Sequence, residues 1–143
     1  MVISISITRI AVAILAAITS TALLATTDAE IEKLLAKVSR EINAKLPLGT
    51  AEVTIVSVVA GPGKRFEYHS VISTPATQWT PAMKIRAGRQ LIDDYCTAPE
   101  MKDFRSLGVT VSWISSDQEG VHIYTNTVTP QNCRWTGPRT LKK

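Results

Sequence analysis

The sequence is poor in the residues that most chemistry needs. It has two cysteines, two histidines and two phenylalanines in 143 positions. The cysteines, Cys96 and Cys133, stand 37 positions apart, so there is no C-x-x-C redox pair. His69 and His122 form no H-x-x-x-H or Cys/His spacing, and a metal centre would lack its three or four ligands. No G-x-S-x-G nucleophile elbow occurs. The "GPGK" at 61–64 lacks the rest of a phosphate loop and joins two strand-like runs. Adjacent Asp93 and Asp94 on a helix point about 100° apart and cannot flank one substrate. No Lys/Arg stripe interleaved with aromatics appears, which excludes the usual nucleic-acid footprint. There is no low-complexity segment and no short repeat period. The reading is of a non-enzymatic chain with no catalytic residues, no cofactor, no metal and no nucleic-acid partner.

Charge is also scarce where it would matter. The formal net charge is +4, from 16 Lys+Arg and 12 Asp+Glu. Arg134, Arg139, Lys142 and Lys143 all follow Cys133, so the excess lies in a basic tail over 134–143, read as a solvated terminus. Residues 2–25 carry a single charge, Arg9, followed by the apolar "IAVAILAAI" and then small polar residues. That order is a secretory signal, expected over 1–22 with cleavage after Ala22 or Ala29. The alternative is an uncleaved anchor over 2–25, long enough to span a bilayer, with Arg9 keeping its start cytoplasmic. Either way the domain, expected over 28–133, is exported to the periplasm or secreted, or held at the inner membrane outside the cytoplasm. Membrane contact is expected only if 2–25 is retained. No cysteine lies near the apolar run, which excludes lipoprotein anchoring.

What is present is regular patterning. In "DAEIEKLLAKVSREINAKL" (28–46), Ile31, Leu34, Leu35, Val38, Ile42 and Leu46 recur at helical steps. Thr27 and Glu30 form a capping box ahead of it, and Pro47 ends it. "TAEVTIVSVVA" (50–60) and "RFEYHSVIS" (65–73) read as a hairpin around GPGK. After the loop 74–81 a second helix over 81–96 puts Ile85, Gly88, Ile92, Tyr95 and Cys96 on one inward stripe. "GVTVSWIS" (108–115) and "VHIYTNTV" (121–128) read as a second hairpin. The expected fold is α+β, in the order α-β-β-α-β-β. It has a four-stranded antiparallel sheet, two main helices on one face, and one disulfide.

Two cysteines in an exported chain pair, so Cys96 and Cys133 are expected to join the end of the second helix to the exit of the last strand. The candidate partner-binding residues are aromatic. Trp79 lies in the 74–81 loop and Trp135 in the tail. By alternation Tyr124 shares a strand face with His122 and Asn126, while Trp113 goes with Val109 and Val111. Such residues suit a protein-recognition surface.

The layout Leu46-Pro47, a strand ending in Glu67-Tyr68-His69, Tyr95-Cys96 closing a helix, Gly108-Val109 opening a late strand, and Cys133 last resembles a group of small, exported, uncharacterised bacterial proteins. That resemblance implies bacterial export and the Cys96–Cys133 pair but carries no activity. The helix-plus-sheet plan also looks like cystatin-like folds. The expected function is a periplasmic binding module (inhibitor, immunity or accessory protein) whose partner is another protein of the cell envelope. The alternative is a membrane-anchored subunit of an envelope or secretion complex, and the least supported reading is a cell-wall hydrolase.

Overall fold

The computed structural model describes residues 26–135. In chain order they form α1 (Asp28–Asn43), β1 (Leu48–Gly49), β2 (Val53–Gly61), β3 (Arg65–Ile72), α2 (Pro81–Thr97), α3 (Lys102–Ser106), β4 (Thr110–Asp117) and β5 (His122–Val128). Short 3-10 segments lie at Ala76–Gln78, Pro99–Met101 and Pro130–Trp135. The expected signal or anchor over 1–22 or 2–25, and all of the tail after Trp135, lie outside the described residues.

Helix α1 starts where the capping box sets it. Thr27 Oγ1 accepts from Glu30 N–H, and Glu30 accepts in return from Thr27 N–H at 2.8 Å. The bond from Thr27 N–H, and then one from the Thr27 hydroxyl at 3.0 Å, hold the Glu30 carboxyl below its usual pKa. The helix lays Ile31, Leu35, Val38 and Ile42 on the sheet. The GPGK turn needs left-handed backbone, which Gly63 supplies at φ 74°. It is tied to α1 by Gly63 N–H donating to Glu32 (2.7 Å) and by Lys64 beside Asp28 (3.1 Å).

The sheet departs from the four-stranded antiparallel expectation. It has five strands in the order β1-β2-β3-β4-β5, and β3 pairs with β4 in parallel. Three α-helices are present among the described residues, not two. The parallel pair has a geometric cause. A 17-residue helix such as α2 is about 25 Å long, close to the roughly 26 Å of an eight-residue strand. It therefore carries the chain back to where β3 began, and β4 starts beside β3 and runs the same way. The two-residue β1, Leu48↔Ile55 and Gly49↔Thr54, is too short to show a pattern.

One sheet face carries the core. The row Val58, Tyr68, Trp113, Asn126 and the row Ile55, Ser70, Ser115, Tyr124 are in register across β2 to β5. Phe66 meets Tyr68 and Phe104 edge-on at 5.3 and 5.0 Å, and Tyr68 stacks on Trp113 at 5.7 Å. Each side chain of this size, fully buried, stabilises the fold by roughly 1.5–3 kcal/mol. Tyr95 is fully buried, with its hydroxyl donating to the Val109 carbonyl at 2.9 Å. Burial pushes its pKa up to about 12 against the pull of Arg105. Cys96 and Cys133 are joined, with Cα atoms 5.3 Å apart, which ties the turn after β5 to the end of α2.

Candidate functional site

The residues singled out for recognition do not form one exposed surface. Trp79 and Tyr124 are each 8% exposed and pack together with ring centroids 5.4 Å apart. They belong to the core, against the expectation of a presented loop tryptophan. Burial raises the Tyr124 pKa, partly offset by its hydrogen bond with Ser115. His122 is exposed and lies apart from them, its ring nitrogen 2.9 Å from Thr125 Oγ1. The cause is a β-bulge. The register runs Ser115↔Tyr124 and then Ser116↔His122, leaving Ile123 as an extra residue, so alternation from His122 no longer predicts Tyr124. Trp135 ends the last 3-10 turn, and its side chain lies outside the described residues.

The 74–79 loop is fixed by Asp117, a residue outside the sequence-derived candidates. The Asp117 carboxylate accepts from Ala76 N–H (2.9 Å), Val121 N–H (2.8 Å) and Glu119 N–H (3.0 Å). The bond from Ala76, then those from Val121 and Glu119, hold its pKa below the usual aspartate value although burial opposes them. An aspartate opening a turn that ends in glycine was the available signal.

The two edges of the sheet are treated differently. At the β2 edge, the Asn43 amide pairs with Val58 as a strand would. Val58 N–H donates to Asn43 Oδ1 (2.9 Å), and Asn43 Nδ2 donates to the Val58 carbonyl (2.7 Å). Ser39 Oγ donates to the same carbonyl at 2.8 Å, and β1 covers the rest of that end. β5, at the other edge, pairs only with β4. Its strand interior has no lysine and no proline, two of the usual blocks to further pairing.

Over β5 lies α2, brought close by Gly88. A Cβ at that position would stand 2.8 Å from Asn126 Oδ1. Two buried donors at this seam, Trp79 Nε1 and Asn126 Nδ2, have no hydrogen-bond partner among the described residues. The inward stripe expected for α2 needs correction at one end. Leu91 and Tyr95 are buried, but Ile85 is 58% exposed. Lys84, Arg86 and Arg89 form no ion pair among the described residues, where the only bridges are Lys37–Glu41, Lys64–Asp28 and His69–Glu67. Among those residues no group of three or more His, Cys, Asp or Glu could hold a metal ion. The seam brings together the unpaired outer edge of β5, the exposed Ile85 and the exposed Arg89.

No family model and no curated protein matches the sequence. Solved structures do match by shape. A type II secretion system pilotin, AspS from Vibrio cholerae, has a TM-score of 0.61 and 18% identity, covering 74% of this chain and 94% of its own. The pilotin EpsS of the Vibrio vulnificus type 2 secretion system has a TM-score of 0.62 and 16% identity, over 78% and 96%. A Pseudomonas aeruginosa protein described as secreted reaches 0.65 at 16% identity, over 78% and 99%. This chain therefore has the fold of those pilotins, and the cystatin-like plan gains no support. The inner-membrane option gains no support from this likeness, the matched structures being two secretion pilotins and a protein described as secreted. Among the described residues no helix is long and apolar enough to cross a membrane.

Proposed function

We propose that this protein is a non-catalytic accessory protein of a bacterial type II secretion system, acting on the periplasmic side of the envelope by docking another component of that system. The observation that carries this reading is the fold. Nearly the whole length of two type II secretion pilotins, 94% and 96%, is matched by three quarters of this chain. A disulfide-closed domain suits an oxidising compartment. The secretion-complex reading is thereby favoured over an inhibitor or immunity protein, and docking is assigned to the α2–β5 side, with Trp79 and Tyr124 as its buried floor.

The test is cross-linking in living cells of the native host, with a photoreactive side chain replacing Arg89. A type II secretion component should be the protein captured. Capture of only a soluble periplasmic enzyme would return the inhibitor reading, and this one would be abandoned.

A further inference from the structure

The free edge of β5 and the exposed end of the α2 stripe have one explanation in common. The backbone bond from Asp117 N–H to the Val121 carbonyl closes the β4–β5 hairpin, and Thr110 N–H donates to the Lys64 carbonyl at the start of β3. Even-numbered β4 residues thus turn their backbone groups to β3, and odd-numbered ones turn theirs to β5. Through the pairs Val111↔Val128, Trp113↔Asn126 and Ser115↔Tyr124, those three β5 residues are bonded inward. Thr125 and Thr127 point their N–H and C=O groups out of the sheet, and no described residue bonds them.

Helix geometry places α2 over that same edge. At about 100° per residue, with Gly88 facing Asn126, the buried Leu91 and Tyr95 fall on one side of Gly88. Ile92, Ile85, Cys96 and Arg89 fall on the other, about 40° to 100° round. The Tyr95 hydroxyl reaches the Val109 carbonyl at the entry to β4, inward of β5, so the opposite flank lies toward the outer edge of β5. Ile85 is exposed because the sheet ends beneath it.

We infer that a partner supplies the missing strand. An extended segment pairs with Thr125 and Thr127 of β5, turns apolar side chains up to Ile85 and Ile92, and carries acidic residues that meet Arg89. This is strand addition, in which main-chain bonds give affinity and alternate side chains give selectivity. The inference rests on the docking reading above and adds the chemistry of the segment that docks.

Amide hydrogen exchange of the processed, disulfide-closed protein tests it. Exchange is read at Thr125 and Thr127, alone and with the cross-linked component, then with 15-residue synthetic peptides tiling that component. Both amides should exchange freely in the protein alone and slow at least tenfold on binding, with an acidic, alternately apolar peptide reproducing the effect. Thr127→Pro removes an outward N–H and one exposed side-chain bond, Thr127 Oγ1 to Ser112 Oγ, so the fold should survive while binding weakens at least tenfold. Ile85→Lys, at an exposed position, should do the same. Binding that leaves both amides unprotected and is indifferent to both variants overturns the inference and leaves the docking reading standing. If no component is captured, both fall. Protection already present in the protein alone would assign the groove to the chain's own terminal residues, or to a second copy if it grows with concentration, and either result overturns the inference.

Discussion

Asp117 shows how one side chain organises the end of the sheet beside the proposed docking face. Its carboxylate gathers three backbone N–H groups from the 74–79 loop and the β4–β5 turn, so the ionised form is bound more strongly in the folded state. With the folded pKa lowered, this stabilisation is fully present above the unfolded value of about 3.9. It is lost as pH falls through the folded value. Asp117→Asn should therefore melt well below the wild type at pH 7, and the gap should close below about pH 4. Thermal unfolding across that range checks it, and a gap independent of pH would mean that charge is not the cause. Single residues were unevenly legible in the sequence. The Thr27–Glu30 cap and the Phe66/Tyr68 inward side follow from spacing alone. The placing of Tyr124 away from His122 does not, because one bulged residue resets the alternation and leaves no mark in composition.

At the scale of elements, the asymmetry between the two sheet edges is the feature to test. Asn43→Ala removes both side-chain bonds to Val58 and leaves a strand N–H without a partner, so a loss of about 1–3 kcal/mol is expected in urea unfolding. Ser39→Ala should cost less, since Asn43 still donates to the Val58 carbonyl. Equal losses would mean that the helix packing, not the amide, protects that edge. Helices α1 and α2 were readable because an amphipathic stripe is local. The Ile85 end of the α2 stripe was misread for an instructive reason: periodicity says which face of a helix is apolar, not how far the sheet beneath it extends. The parallel β3–β4 pair was equally hidden, since two hairpins separated by a helix can be joined in either sense and only the matched lengths of α2 and β3 decide.

For the whole molecule, the disulfide fixes how the last strand leaves the sheet. Closing a loop of 37 residues is worth roughly 3–4 kcal/mol in the chain-entropy model, a large share of what a domain of this size has. Cys96→Ser with Cys133→Ser should lower stability by about that amount, and the wild type should show the same loss under reductant. A double variant as stable as the wild type would remove the staple from the account. The pairing was legible from the count of cysteines and the apolar run near the start of the sequence. The proposed docking role was not, because such a role needs no catalytic constellation and leaves no motif, and the fold that suggests it is recognisable only in three dimensions.

A role in type II secretion has a direct consequence for cells that lack the protein. The measurement is the distribution of type II secreted proteins between medium and periplasm in host cells lacking this protein, with the wild-type gene restored as control. Retention in the periplasm, relieved by the wild type and not by Thr127→Pro, is the predicted result. Unchanged secretion, with the secretion complex assembled normally, would contradict the role proposed for this fold.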